Sequence, residues 1–260
     1  MKLKRIALVI LACAALGYTS CKKSASTQTT DPKTVSSQIA LNLSQTLYSG
    51  FGGFNLTSGL NAPGSFGLDR NALRLKLTKG RTAINDTGDD ITCGMHADTT
   101  FSATIDAGGV QGTVAGSIGF TFNCTNGTFS GFTVTDNLKV TEATSQLNGT
   151  FNVAENLTLA QVTPGDDNSN ISLNGTASYA ENAKVNGKST TASFNYTFHN
   201  VIIDQQGLIA SGSADFSTQA TGAQGSWNYS GTATFLGNST VKIVINGASY
   251  TVNLQTGTVS

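Results

Sequence analysis

The sequence predicts an all-β fold: one large curved antiparallel sheet, barrel- or sandwich-like, with one N-terminal amphipathic helix packed on it. Three observations predict it. From residue 71 onward, apolar side chains recur at every second position and alternate with Ser, Thr and Asn, the pattern of strands half-buried against a core. Asn-Gly, a dipeptide suited to two-residue hairpin turns, occurs at 126, 148, 174, 186 and 246. Proline is nearly absent, with 3 in 260 residues, and charged residues make up only 12%, so neither strand breakers nor self-repulsion oppose folding.

The elements follow in order. Asp31–Pro32 offers a cap and a first-turn proline. Val35, Ile39, Leu43 and Leu47 come at four-residue steps, and Gly50 supplies a stop. That spacing predicts a helix over 32–49 with one apolar stripe. Residues 50–67 are glycine-rich, with Phe51, Phe54, Leu56 and Phe66 scattered among them, and read as a loop. Leu73, Leu75 and Leu77 then alternate with Arg74 and Lys76. The same period carries Ile118, Phe120, Phe122 and Cys124; then Phe132, Val134, Leu138 and Val140; then Phe194, Tyr196 and Phe198. Trp227, Tyr229 and Phe235 precede Val241, Ile243 and Ile245. Strands of roughly six to ten residues are expected, separated by turns. Two alternating runs flank Asn246–Gly247, which predicts a hairpin over 240–255. Asn174–Gly175 conflicts with an otherwise good strand over 171–179, and both readings stay open. No strict repeat and no break in composition divides the chain, so residues 34–260 read as a single β-rich domain that includes helix 32–49.

The N-terminus has a different character. Lys2, Lys4 and Arg5 are followed by an apolar run from Ile6 to Gly17, and Tyr18–Thr19–Ser20 leads to Cys21. This order is that of a secretory signal. With cysteine after a small residue, it resembles the signal of a bacterial lipoprotein, and the resemblance covers residues 1–24 only. It implies a signal peptide over 1–20 and acylation (palmitate among the chains) at Cys21. Cys13, behind Ile10–Leu11–Ala12, is the alternative processed cysteine, but cutting there strands Ala14–Ala15–Leu16. Residues 21–33 read as a flexible tether. The implied location is the bacterial cell envelope, lipid-anchored to the outer membrane more than the inner, with the domain in the periplasm or at the cell surface. The apolar run is too short to span a bilayer as a helix.

Charge and cysteines fit this picture. Without the signal, 12 basic groups face 15 acidic ones. Five of the bases (Arg70, Arg74, Lys76, Lys79 and Arg81) fall in one short stretch, and from residue 82 on four bases face 13 acids. A nucleic-acid partner is therefore not expected. Cys93 and Cys124 remain as an even pair, expected to form a disulfide in an oxidising compartment.

Candidate sites each carry a plainer reading. Cys93, Met95 and His96 could offer soft metal ligands, yet a disulfide with His96 in an exposed turn is the simpler expectation. Asp166–Asp167–Asn168–Ser169–Asn170 concentrates oxygen donors, but its spacing matches no calcium loop and reads as a hairpin tip, as does Asp89–Asp90. The basic stretch 70–81 reads as the wet face of an edge strand. Trp227 and Tyr229 read as buried rather than sugar-stacking, and His199 as a solvated strand position. Asp98–Thr99–Thr100 resembles a bacterial O-glycosylation acceptor, a pattern too short to argue from. Glu142, Glu155 and Glu181 are the only glutamates, each in or beside a strand-like run, and no spacing sets them as a catalytic pair.

These readings predict no catalytic residues, no metal site and no cofactor. The expectation is a non-catalytic envelope lipoprotein, a membrane-tethered binding or scaffold module. Its partners are the membrane, through the anchor, and an unassigned protein, glycan or lipid ligand. The alternative is a carrier or chaperone holding a lipid or other amphiphile in a cavity of the curved sheet.

Overall fold

The computed structural model describes residues 29–48, 93–107, 110–164, 166, 169–222 and 225–260. The signal with Cys13 and Cys21, most of the tether, the loop 50–67, the Leu73–Leu77 run, the basic stretch 70–81 and Asp89–Asp90 lie outside the described residues.

One helix, α1 (Pro32–Tyr48), precedes ten strands. These are β1 (His96–Ala107), β2 (Val110–Thr125), β3 (Thr128–Ala143), β4 (Leu147–Gln161) and β5 (Ile171–Val185), then β6 (Lys188–Ile203), β7 (Ile209–Gly222), β8 (Gly225–Gly237), β9 (Thr240–Ile245) and β10 (Ala248–Asn253). All ten form one antiparallel sheet in strict chain order, and it does not close. Each strand therefore pairs with its sequence neighbours, the simplest arrangement for a chain rich in hairpin turns. The far edge is covered by the chain's own end. Ser260 N–H donates to the Thr251 carbonyl at 2.9 Å, and Val259 bridges to Val252.

The predicted helix is α1, with Pro32 at its first position and the Asp31 carbonyl accepting from Val35 N–H at 3.1 Å. Val35, Ile39, Leu43 and Leu47 are completely buried, so the four-residue stripe is the face that meets the sheet. α1 packs on β9 and β10. Ser37 Oγ donates to the Gly257 carbonyl at 2.6 Å, and Tyr48 Oη accepts from Ile209 N–H at 3.3 Å. The inward face of β2 to β10 and the helix stripe make one continuous apolar cluster. Among the described residues no helix is long and apolar enough to cross a membrane.

Turn chemistry explains most connections. Asn126–Gly127, Asn186–Gly187 and Asn246–Gly247 each place two residues at positive φ (53° and 80°, 49° and 77°, 52° and 81°), the geometry that matches the twist of a tight hairpin. The hairpin expected over 240–255 is β9–β10. The other two Asn-Gly pairs are not turns. Asn148–Gly149 lies inside β4, because the β3–β4 turn forms one step earlier: Thr144 Oγ1 accepts from Leu147 N–H at 2.9 Å, a local side-chain turn that wins over the dipeptide. Asn174–Gly175 lies inside β5 at a β-bulge, with Gly175 at φ 128° and Asn174 Oδ1 accepting from Asn200 N–H at 2.8 Å. The strand reading holds there. β1 to β8 run 12–16 residues, longer than the six to ten expected, since glycines within the runs are absorbed as strand positions instead of ending them.

Candidate functional site: buried acids on the inward face

Register builds the most unusual feature of the sheet. Side chains of a strand alternate between faces. On β3 the inward set runs Val134, Asp136, Leu138, Val140, Glu142, and on β4 it runs Phe151, Val153, Glu155, Leu157, Leu159. Asp136 pairs directly with Glu155 across the two strands, and Ile118 of β2 and Ala177 of β5 complete that row on either side. Two steps away on each side, Val134 faces Leu157 and Leu138 faces Val153, so the two acids sit inside an apolar surround. Further along the same face, Glu142 of β3 pairs with Gly112 and Gly149, and Glu181 of β5 pairs with Phe151.

Three of these acids are sealed. Asp136, Glu142 and Glu155 are 1%, 2% and 5% exposed. None of their six carboxyl oxygens is reached by solvent, and none has a hydrogen-bond partner outside the Asp136–Glu155 pair itself. An isolated buried carboxylate costs far more than the shift needed to neutralise it, so protonation is the available response. Burial pushes Asp136 strongly upward, and the facing charge of Glu155 pushes the same way. Burial also raises Glu155, Glu142 and Glu181, a hydrogen bond from Tyr179 opposing the rise at Glu181. Two facing carboxyls raised this way titrate as a pair.

Both histidines lie on the outward side and are about half exposed. His199 Nε2 is 3.0 Å from Asp215 Oδ2, in keeping with a solvated strand position. His96 Nε2 is 3.1 Å from Asp98 Oδ1, and its Nδ1 is 2.9 Å from Thr121 Oγ1. An acid, an imidazole and a hydroxyl thus meet in line. His96 and Thr121 are direct register partners of β1 and β2. The trio fastens β1 to β2.

The remaining expected residues resolve simply. Cys93 and Cys124 form a disulfide with Cα atoms 5.4 Å apart. Both thiols are consumed, which removes the soft-ligand reading of Cys93, Met95 and His96. His96 itself starts β1 instead of lying in a turn. Asp166 N–H donates to the Thr163 carbonyl and Ser169 N–H to the Asp166 carbonyl, a polar tip between β4 and β5. Among the described residues no group of three or more His, Cys, Asp or Glu is placed to hold a metal. Trp227 and Tyr229 are partly buried against the core, Trp227 Nε1 donating to Thr218 Oγ1 at 3.1 Å. The outward face of β2 to β5 carries an open depression of about 370 Å³ lined by Ala115, Asn137, Lys139, Asn152, Ala154 and Ser178.

The acid row was not anticipated, although its signal is in the sequence. Asp136 occupies the inward phase between Val134 and Leu138, Glu155 that between Val153 and Leu157, and Glu142 follows Val140 by two. An acid in phase with the apolar positions is the mark of a buried one. No protein family, no curated protein and no solved structure matches this chain.

Proposed function

We propose that the chain is a non-catalytic envelope lipoprotein: acylated at Cys21, it carries a β-rich binding or scaffold module on a short tether at a membrane face, the outer membrane before the inner. In this reading the sheet curves part-way round α1, and the outward strand face is the working surface. Two acyl chains hold a protein stably where one does not, at about 0.8 kcal/mol per buried methylene.

The observation that carries the reading is the filling of the inward face. A carrier would keep room there for its amphiphile, but Val35, Ile39, Leu43 and Leu47 of the chain's own helix are fully buried against it. Further along, the face bears sealed carboxyls that an alkyl chain would gain nothing by touching. The same sealing argues against a catalytic role for Asp136, Glu142 and Glu155, whose carboxyls are out of reach of a substrate. Outward, hydroxyls and amides bond to one another, as Thr113 with Thr141 at 2.8 Å and Asn123 with Thr133 at 3.1 Å. That leaves a stiff polar surface with the Lys139 depression for a ligand.

Lipid extraction tests it. The Cys21→Ser protein, purified from the envelope without detergent, should yield no stoichiometric lipid. One lipid per protein, recovered reproducibly, would replace the scaffold by the carrier.

A further inference from the structure

We propose that Asp136 and Glu155 share a single proton across the β3–β4 seam, and that losing it loosens the inward face, so the module carries a built-in pH-sensitive element. The inference stands on placement. The two acids are direct register partners, both buried, with four carboxyl oxygens closed to solvent and none hydrogen-bonded outside the pair. Directly opposed side chains on one face have Cβ atoms about 4.5–5.5 Å apart, close enough for one carboxyl to donate to the other. A proton on Asp136 donating to ionised Glu155 satisfies two of the orphaned oxygens and leaves one buried negative charge instead of two. A second proton would leave none. Removing the shared proton to solvent as pH rises leaves two facing carboxylates in an apolar surround, which the seam must open to hydrate.

The surroundings offer little to offset that charge. β2 contributes Ile118 to the row and carries no charged residue at all. β4 carries no charge besides Glu155, and β5 contributes Ala177. Tyr196 of β6 stands across Ala177, its hydroxyl committed to Asn42 of α1. The further titratable groups on this face are Tyr179 of β5, which faces Val153 and hydrogen-bonds to Glu181, and the two acids Glu142 and Glu181; Lys139 of β3 and Lys184 of β5 point outward. Among the described residues, then, no cation faces the pair. The design resembles other facing carboxyls that cannot both ionise, with the difference that these are sealed and structural.

Two measurements on the full-length protein test the proposal. Infrared difference spectra should show a protonated-carboxyl band at pH 7 that titrates away in alkali and shifts in frequency in Glu155→Gln and in Asp136→Asn, where the proton has a single carboxyl to sit on. Denaturant titrations between pH 5 and pH 9 should show the folding constant of the wild type falling with pH, by up to tenfold per unit for each proton lost, and a shallower fall in either variant. If Asp136→Asn does not fold, Glu155→Gln alone decides. Fully ionised carboxyls at pH 7, or a pH slope unchanged by Glu155→Gln, would overturn the shared proton.

Discussion

Tyr196 of β6 donates its hydroxyl to Asn42 Oδ1 of α1 at 2.9 Å, and both residues are buried, at 3% and 8% exposure. The helix is thereby fixed to the middle of the sheet by a polar bond inside an apolar contact. Burial raises the phenol well above its usual range, so the hydroxyl stays a donor. Tyr196→Phe should cost about 1–3 kcal/mol, the toll of leaving the Asn42 amide oxygen without its buried donor. Asn42→Ala should cost a similar amount, and the double variant less than the two together. Denaturant unfolding measures all three.

The Cys93–Cys124 bond joins the residues before β1 to the end of β2. Replacing both cysteines by Ser should lower stability by about 3.7 kcal/mol, the loop-closure value for a separation of 31 residues. Reduced wild type should match the double variant in urea unfolding. Equal stability of oxidised and reduced protein would mean that the β1–β2 ladder alone fixes this end.

Glu142 is buried and unpartnered, and burial raises its carboxyl. A carboxyl raised on folding binds more protons in the native state, so its penalty is absent below the unfolded value near 4.3 and grows as pH rises above it. Glu142→Gln should therefore leave stability near that of the wild type at pH 4 and raise it at pH 8. Thermal melts at the two pH values check the sign. A destabilised variant at pH 8 would mean that the charge is compensated.

Gly231 of β8 faces Phe216 of β7 in register. A Cβ there would collide with the Val244 carbonyl oxygen and sit 2.9 Å from Phe216 Cζ. Backbone cannot yield as a side-chain tip can, so Gly231→Ala should destabilise by about 1–3 kcal/mol or more and loosen β8 from β9. Hydrogen exchange in β8 and β9 reports the site of the damage.

Much of this architecture was legible, for identifiable reasons. Val35, Ile39, Leu43 and Leu47 repeat at helical spacing, and that stripe is the buried one. Asn246–Gly247 sits between two alternating runs and turns where expected. What misled was treating a dipeptide as decisive: Asn148–Gly149 continues a strand because Thr144 had already made the turn. What was missed was phase. Glu155 is polar by type but inward by position, and period-two counting that attends only to apolar residues passes over it. The His96–Asp98–Thr121 line joins two strands 25 residues apart at Thr121, a proximity only the register reveals.

The proposed tether, acylation at Cys21, is tested most directly by the mass and membrane partition of Cys21→Ser beside wild type. Wild type should sediment with envelope membranes and carry acyl mass on a peptide beginning at Cys21, while Cys21→Ser is released without that mass. Equal partition of the two proteins, with no acyl mass on either, would contradict it.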